Sequence, residues 1–502
     1  MTRHAAISRF MRSLSGATII VLLILATSVA CAAAPAPDGP TAAPVAASGD
    51  TATRAAASQR AGRISLPTVL SSYIDPSRQL CRLGVGGTSA IASYAIRDLR
   101  LGWYLDWGVT ATPARPDGIS YHPMIRLAQT GPNSYSSTPA AAQLPALVAA
   151  QPGALWFIGN EPDRVAWQDS IEPRVYAMAY HDLYRLIKQL DPTARIAAGG
   201  IVQPTPLRLQ YLDLVLGHYR AAYGGDMPVD VWNIHAFILR ERSCLVFPTD
   251  CWGAEIPPGI DATEGMLYEL DDHDDLEIFK GFIFTFRQWM ADRGYRERPL
   301  ILTEFGILMP EDYGFSRERV NAYMDKTFDF LSNAAGPTGY PPDDNRLVQY
   351  WAWYSLMDGA SNGTLFDPIT RQRTTFGDNF AALASRMPAE ANLRPLSASA
   401  SRQPGSQAAT LSATLTNNGN IAGRGFFVVR FYDGAPHAGG HRIGADHFIY
   451  AMDGCGTTIT VETAWDAAPA ESVDLWVVVD PDRSVAERDE TDNALSFRLA
   501  AR

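Results

Sequence analysis

Residues 155–163 read Leu-Trp-Phe-Ile-Gly-Asn-Glu-Pro-Asp: four apolar residues, a glycine, two side chains capable of chemistry, and a proline. A short apolar run bounded by turn formers reads as a strand buried on both faces, as in a parallel sheet. Pro162 has no N–H and restricts the residue before it, so the ladder stops where the polar residues begin. Working outward, similar stretches occur at 82–85, 103–107, 122–127, 195–199, 231–235, 299–304 and 350–354. Amphipathic segments at 90–100, 139–150, 173–190, 207–223, 276–294 and 316–332 lie between many of them, with 378–385 after the last. Eight strands separated mostly by helices predict an α/β fold of the (β/α)8 TIM-barrel type over residues 62–388. The rival is an open doubly wound sheet. Against it, Gly84, Gly86 and Gly87 are spaced too loosely for a dinucleotide- or phosphate-binding turn. The connection between the second and third strands is short and Pro-containing, so a regular helix is not expected there.

After Pro388 helical periodicity stops. Short alternating stretches follow at 409–416, 425–432, 457–463, 472–479 and 494–499, punctuated by Asn418-Gly419 and Asp433-Gly434. That grammar predicts a second domain over 391–502, an all-β immunoglobulin-like sandwich.

The chain has 502 residues, 47% hydrophobic and 10% aromatic, enough apolar surface for a large core. Its 42 basic and 53 acidic residues give a formal net charge of −11, which offers no general attraction for phosphate backbones. Nucleic acid is therefore not an expected partner. At the N-terminus, Arg3, His4, Arg9 and Arg12 precede an uncharged, mostly apolar run from Ala17 to Ala30, the pattern of an export signal over residues 1–31. Small residues before Cys31 fit a lipoprotein site, although Ser28 stands where Leu is usual, so lipid attachment at Cys31, simple cleavage and an uncleaved anchor are all open. Residues 32–61 are rich in Ala, Pro and Thr and read as a flexible spacer. A secreted or cell-surface location is expected.

Five cysteines do not make a disulfide scaffold. Cys244 and Cys251 close a short loop that an oxidising compartment would bridge, with free thiols as the alternative. Cys81 and Cys455 stand singly in different regions and read as buried small hydrophobes. No Cys or His partner at ligand spacing suggests a metal, and no cofactor is expected. The long segment after Ile238, to about Asp275, would form part of a barrel mouth. Its acidic run Asp271, Asp272, Asp274, Asp275 reads as a solvated face or helix N-terminal charge.

Glu161 caps one apolar run, and Glu304 caps a second in Pro299-Leu300-Ile301-Leu302-Thr303-Glu304-Phe305-Gly306. By strand count they fall on the fourth and seventh strands. Carboxylates at strand ends point into a barrel mouth, and a pair of them is what glycosidic cleavage needs.

Gly159-Asn160-Glu161-Pro162 together with Leu302-Thr303-Glu304-Phe305-Gly306 resembles the clan of retaining glycoside hydrolases built on (β/α)8 barrels. The resemblance implies that Glu161 is the acid/base and Glu304 the nucleophile, acting by double displacement on a β-linked polysaccharide or oligosaccharide. It implies carboxyl groups about 5–5.5 Å apart and a raised pKa at Glu161. Asn160 matches the clan's sugar-contacting asparagine, His235 a position near the nucleophile, and Trp353 a strand-eight tryptophan beneath the sugar, with Trp351 as the alternative. Trp107, Asp106 and Arg126 would line further subsites, or Asp106 and Arg126 would pair. Other readings are a surface carbohydrate-binding or adhesion protein without turnover and a transglycosylase using the same carboxylates. Separately, Asn417-Asn418-Gly419-Asn420, Val479-Asp480-Pro481-Asp482 and the run from Val485 to Asn493 resemble the CARDB module, a β-sandwich of bacterial surface proteins. Its acidic and amide residues are expected to organise turns.

Overall fold

The computed structural model describes residues 79–165, 168–359 and 361–502. The expected export signal, Cys31, the 32–61 spacer and residues 62–78 lie outside the described residues. The N-terminal region contains eleven described strands: β1 (Leu80–Gly86), β2 (Leu101–Leu105), β3 (Ser120–Tyr121), β4 (Met124–Gly131), β5 (Ser134–Thr138), β6 (Leu155–Ile158), β7 (Arg195–Ala198), β8 (Trp232–His235), β9 (Leu300–Phe305), β10 (Ala335–Tyr340) and β11 (Tyr350–Trp353). Its helices are α1 (Leu144–Ala149), α2 (Pro173–Leu190), α3 (Pro206–Tyr223), α4 (Leu276–Asp292), α5 (Arg317–Asn333) and α6 (Thr375–Arg386). Six strands form a parallel sheet in the order β3-β2-β1-β11-β9-β8, and four form a second sheet in the order β5-β4-β6-β7. Isolated parallel bridges pair Ala197 with Val231 and Ile201 with Ile234, between the β7 and β8 segments.

Every expected strand position carries a strand, with one interruption. The stretch 122–127 carries a strand only from Met124, where β4 begins, and His122-Pro123 separates it from β3, because Pro123 cannot donate to a ladder. The expected helix at 90–100 is replaced by two 3-10 turns, Ile91–Ser93 and Arg97–Leu99, the second closed by Arg100 in left-handed conformation. The long helices follow their amphipathic patterns. α2 buries Val175, Tyr176, Ala179, Tyr180, Leu183 and Ile187 on one face. Pro lies in the first turn of α2 and of α3, where a missing N–H costs nothing. Asp275 caps α4, accepting from the N–H groups of Glu277 and Ile278, and Asp274 pairs with Arg319 at 2.5 Å. These parts of the acidic run act as helix N-terminal charge.

The strands alternate between two apolar layers. Leu105, Met124, Phe157, Ala197, Val231, Ile301 and Ala352 share an inner cluster, while Leu83, Trp156, Ile158, Leu302, Trp351 and Trp353 join the core packed by the helices.

The C-terminal region is antiparallel: β12 (Leu393–Arg402), β13 (Ala409–Asn417) and β16 (Thr457–Trp465) form one sheet. β14 (Gly423–Tyr432), β15 (Arg442–Met452), β17 (Val473–Val479) and β18 (Ala494–Leu499) form the other, in the order β15-β14-β17-β18. Leu411, Leu415, Phe427, Phe431, Leu475 and Val477 fill the core between them. β12 and β15 were not legible in the sequence. β12 alternates small residues such as Ser397, Ala398 and Ser399, and β15 sends Phe448 and Tyr450 outward, so neither shows an apolar-in, polar-out pattern. Asp480 accepts from the N–H groups of Ser484 and Val485 and Asp489 from Thr491, in turns of the expected kind.

The two regions are stitched together. Cys81 and Cys455 form a disulfide, which corrects the reading of each as a lone buried thiol. Nothing local marks the pair, because 374 residues separate them. Beside it, the buried Arg82 bonds both oxygens of Asp343 at 2.8 and 2.9 Å and reaches Asn420 at 2.6 Å. Thr416 donates to the carbonyl of Pro342. Cys244 and Cys251 are also bridged. Among the described residues no helix is long and apolar enough to cross a membrane.

Candidate active site

The run that begins at Leu155 leaves the sheet through two left-handed residues, Gly159 at φ +91° and Glu161 at φ +43°. A non-glycine residue there is disfavoured, and such conformations gather where a site needs a side chain aimed unusually. The Glu161 N–H donates to the carbonyl of Gly200 at 2.9 Å. Gly200 must be glycine: a Cβ there would stand 2.7–2.8 Å from the ring of His235. His235 ends β8 and Glu304 lies near the end of β9, and the two are ladder partners across a register shift.

These elements bring Glu161, His235 and Glu304 together. One side-chain atom from each lies within 4.8 Å of the other two. His235 Nδ1 is 3.0 Å from Glu161 Oε1, and its Nε2 is 3.6 Å from Glu304 Oε1. The other oxygen of Glu161 accepts from Arg164 Nη1 at 3.1 Å, and Arg164 also donates to the carbonyl of Gly253, just beyond the Cys244–Cys251 loop. The segment after Ile238 thus reaches the Glu161 turn. Trp107, itself left-handed at φ +54°, donates its indole N–H to Glu304 Oε1 at 2.7 Å. No partner addresses Glu304 Oε2 among the described residues. The three central groups offer a metal-sized cluster of ligand atoms, but Arg164, His235 and Trp107 already supply its carboxylates with donors.

The charges are set by these contacts. Burial pushes Glu161 up, but the Arg164 guanidinium and the hydrogen bond and charge of His235 outweigh it and hold Glu161 down at about 2. This departs from the expected raised value, because Arg164, three residues along the same turn, supplies a cation that the motif alone does not reveal. Burial raises Glu304 against the pull of His235, and the negative charge of Glu161 adds to the rise. Burial lowers His235, yet the charge of Glu304 and the bond and charge of Glu161 carry it above its ordinary value.

Asn160 is buried beside the pair. Its backbone N–H donates to Asp169 Oδ2 at 2.8 Å, its side-chain amide donates to Gln168, and its Oδ1 has no partner among the described residues. Arg126 bonds Asp169 Oδ1 and Gln168. Asp106 instead receives the Tyr121 hydroxyl at 2.7 Å, so Asp106 and Arg126 do not pair with each other. Trp353 stands apart: it is fully buried, donates to the Gly363 carbonyl and packs edge-on against Phe305. It offers no face to a sugar, and neither does the equally buried Trp351. The reason is alternation. Ala352 and Tyr350 belong to the inner layer, so Trp351 and Trp353 face the helices and the next inward position is Tyr354. Tyr354 packs against Trp107 and Phe237, each at 5.8 Å between ring centroids, and its hydroxyl bonds Asp358. Reading 350–354 with period two would have found it.

A buried network braces the turn. Arg208 bonds Asp163 at 2.5 Å and Glu241 at 2.8 Å, all three side chains being inaccessible, and it also donates to the carbonyls of Ala254 and Glu255.

Residues 391–497 match the family model of CARDB. The C-terminal domain is therefore CARDB-like. Among solved structures, the chain is similar to an endo-β-1,3-glucanase of glycoside hydrolase family 128 (subgroup II) from Sorangium cellulosum, at 16% identity and a TM-score of 0.38, over 60% of this chain and 98% of that one. A glucosidase from Croceicoccus marinus matches at 12% identity and a TM-score of 0.41, over 77% and 93%. The CARDB domain of a Pyrococcus furiosus protein, solved with two metal ions, matches at 15% identity and a TM-score of 0.19, over 23% and 92%. No curated protein matches the chain.

Proposed function

We propose that the N-terminal region is a (β/α)8 barrel working as a retaining O-glycoside hydrolase on a β-linked polysaccharide or oligosaccharide. One observation carries the reading: an oxygen of Glu161, in the turn after β6, and one of Glu304, on β9, lie within 4.8 Å of each other, with His235 between them. Retaining enzymes hold their carboxyl groups about 5–5.5 Å apart, whereas inverting enzymes need about 6.5–9.5 Å to admit a water. The barrel reading is supported by the direct passage of the chain from β3 into β4 through Pro123 and by the bridges between the β7 and β8 segments, which link the edge strands of the two sheets.

In this reading Glu304 attacks the anomeric carbon through Oε2, while Trp107 holds Oε1. Glu161 gives a proton to the departing glycosidic oxygen, then takes one from the water that releases the sugar from Glu304. Both Glu161 oxygens already have partners, Arg164 and His235, so Arg164 must give way before Glu161 can carry the proton. Asn160 Oδ1 is free to accept from a sugar hydroxyl, and Trp107, Tyr354 and Arg126 edge the site. The two disulfides fit an oxidising compartment, in keeping with an exported, surface-associated protein.

The test is reducing-end release from plant, fungal and bacterial polysaccharides, with Glu161→Gln and Glu304→Gln alongside and the product anomer read by NMR. Release with retained configuration, lost in both variants, is expected. Inverted product, or full activity in either variant, overturns the reading. Transfer in place of hydrolysis would appear as longer products at high acceptor concentration. A second reading, glycan binding without turnover, is favoured by Phe426, Phe448 and Tyr450, exposed by 68, 73 and 68% on neighbouring strands of the C-terminal domain. Silence across the panel with binding lost in Phe448→Ala would move it ahead.

A further inference from the structure

At the opposite end of the strands from the carboxylates lies a cavity of about 150 Å³. Its walls come from strand starts, Trp103, His122, Arg195 and Tyr350, and Arg424 and Asp453 of the C-terminal domain line it as well. Leu155 also lines it, and at ~3.3 Å per residue the chain runs about 20 Å from Leu155 to Glu161, so the cavity is separate from the mouth. The starting end of such strands normally serves stability and is filled by side chains.

Two buried polar groups facing the space lack partners among the described residues. Trp103 is 2% exposed, and its indole N–H has no acceptor among the described residues. His122 stacks on Trp103 with ring centroids 5.3 Å apart, and its buried Nδ1 is likewise without a partner. Burial and the nearby Arg195 charge pull His122 down to about 3, so the ring is neutral. Arg195 lies over the Tyr350 ring at 6.0 Å and hydrogen-bonds that tyrosine, with Asp230 acting on it only through its charge. The neighbouring Asp230 is spent on Lys188 at 2.7 Å and on the Ile196 N–H. Buried donors without acceptors are rare, and a guanidinium that no carboxylate contacts directly favours an anion beside it. A trapped water would satisfy the indole N–H but would bring no negative charge to Arg195 and Arg424.

We propose that this cavity binds a small oxyanion, held by Arg195 and Arg424 and by the indole N–H of Trp103. The shared chemistry is a phosphate, a sulfate or the carboxylate of a small acidic sugar. An occupant would touch both domains, so binding would stabilise the whole chain against unfolding.

The experiment is thermal unfolding of the full chain with inorganic phosphate, sulfate or glucuronate in turn, at ionic strength held constant with chloride. A saturable rise in Tm is expected, and the anion giving the largest rise identifies the source. Arg195→Gln should weaken the apparent affinity by about tenfold or more, since it removes charge-assisted hydrogen bonds. Arg424→Gln should weaken it less, and Glu304→Gln should leave it unchanged. No rise beyond chloride overturns the proposal, as does a rise that survives both arginine variants, which marks an adventitious ion only. If Arg195→Gln does not fold, Arg424→Gln on its exposed side chain and Trp103→Phe decide in its place: unaltered affinity in both overturns the proposal.

Discussion

The two ends of the same strands are built on different plans. At the mouth, polar and ionisable groups crowd together and answer one another within a turn or across neighbouring strands: Glu161 with Arg164, Asn160 with Asp169, Glu304 with its ladder partner His235. At the base, the contacts join residues hundreds of positions apart, Cys81 to Cys455 and Arg82 to Asp343. On the proposed function, the mouth is arranged for charge that must change during a reaction, and the base for charge and covalent links that must not. Rigidity supplied at one end lets strained residues such as Glu161 and Trp107 persist at the other.

If that division holds, changes at the two ends separate into activity and stability. The largest expected effect is on activity: on the proposed roles, Glu304→Gln lowers turnover by at least about 10³-fold while leaving Tm within a few degrees of the parent. A matching collapse of Tm would show that the mouth carries the fold as well. Next, Arg208→Ala strands Asp163 and Glu241 as uncompensated buried charges and is expected to cost about 3–5 kcal/mol in denaturant unfolding. This variant tests the comparison hardest, because Arg208 braces the mouth yet acts on stability. Replacing Cys81 and Cys455 together by Ser should cost about 2–4 kcal/mol, with turnover per folded molecule unchanged. A fall in turnover would mean that the base transmits to the mouth.

Two smaller effects concern pH. Arg164→Gln removes a cation that holds Glu161 down. With Glu161 as acid, the basic limb of kcat/KM should then move to higher pH by about one unit, ~1.4 kcal/mol. A shift in the other direction would reverse the acid and nucleophile roles. His235 has a folded-state value above its ordinary 6.5, so the stability it adds is fully present below about pH 6.5 and is lost as pH rises through the raised value. His235→Asn should therefore show its largest deficit in chemical denaturation below pH 6.5 and a narrowing one above. A deficit independent of pH would make His235 a packing residue.

Strand-and-helix periodicity was enough to place the eight core strands and the long helices, because each buries a continuous apolar run or face. It was also enough to put Glu161 and Glu304 at strand ends, since Pro162 and Gly306 break the ladder behind them. What it did not give has physical reasons. Arg164 meets Glu161 only because the turn is left-handed at Glu161, a backbone property that no side-chain pattern encodes. Trp353 was assigned inward by its motif, while the alternation from Tyr350 to Tyr354 sends it outward and brings Tyr354 in. The Cys81–Cys455 pairing depends on how two separately folded regions meet, which neither local spacing nor composition records.

That same bond encloses residues 81–455 in one covalent ring. In surroundings rich in secreted proteases, a single cut in any loop of the N-terminal domain therefore releases nothing: both fragments stay tethered, and the C-terminal domain remains attached to the strand from which the sheet begins.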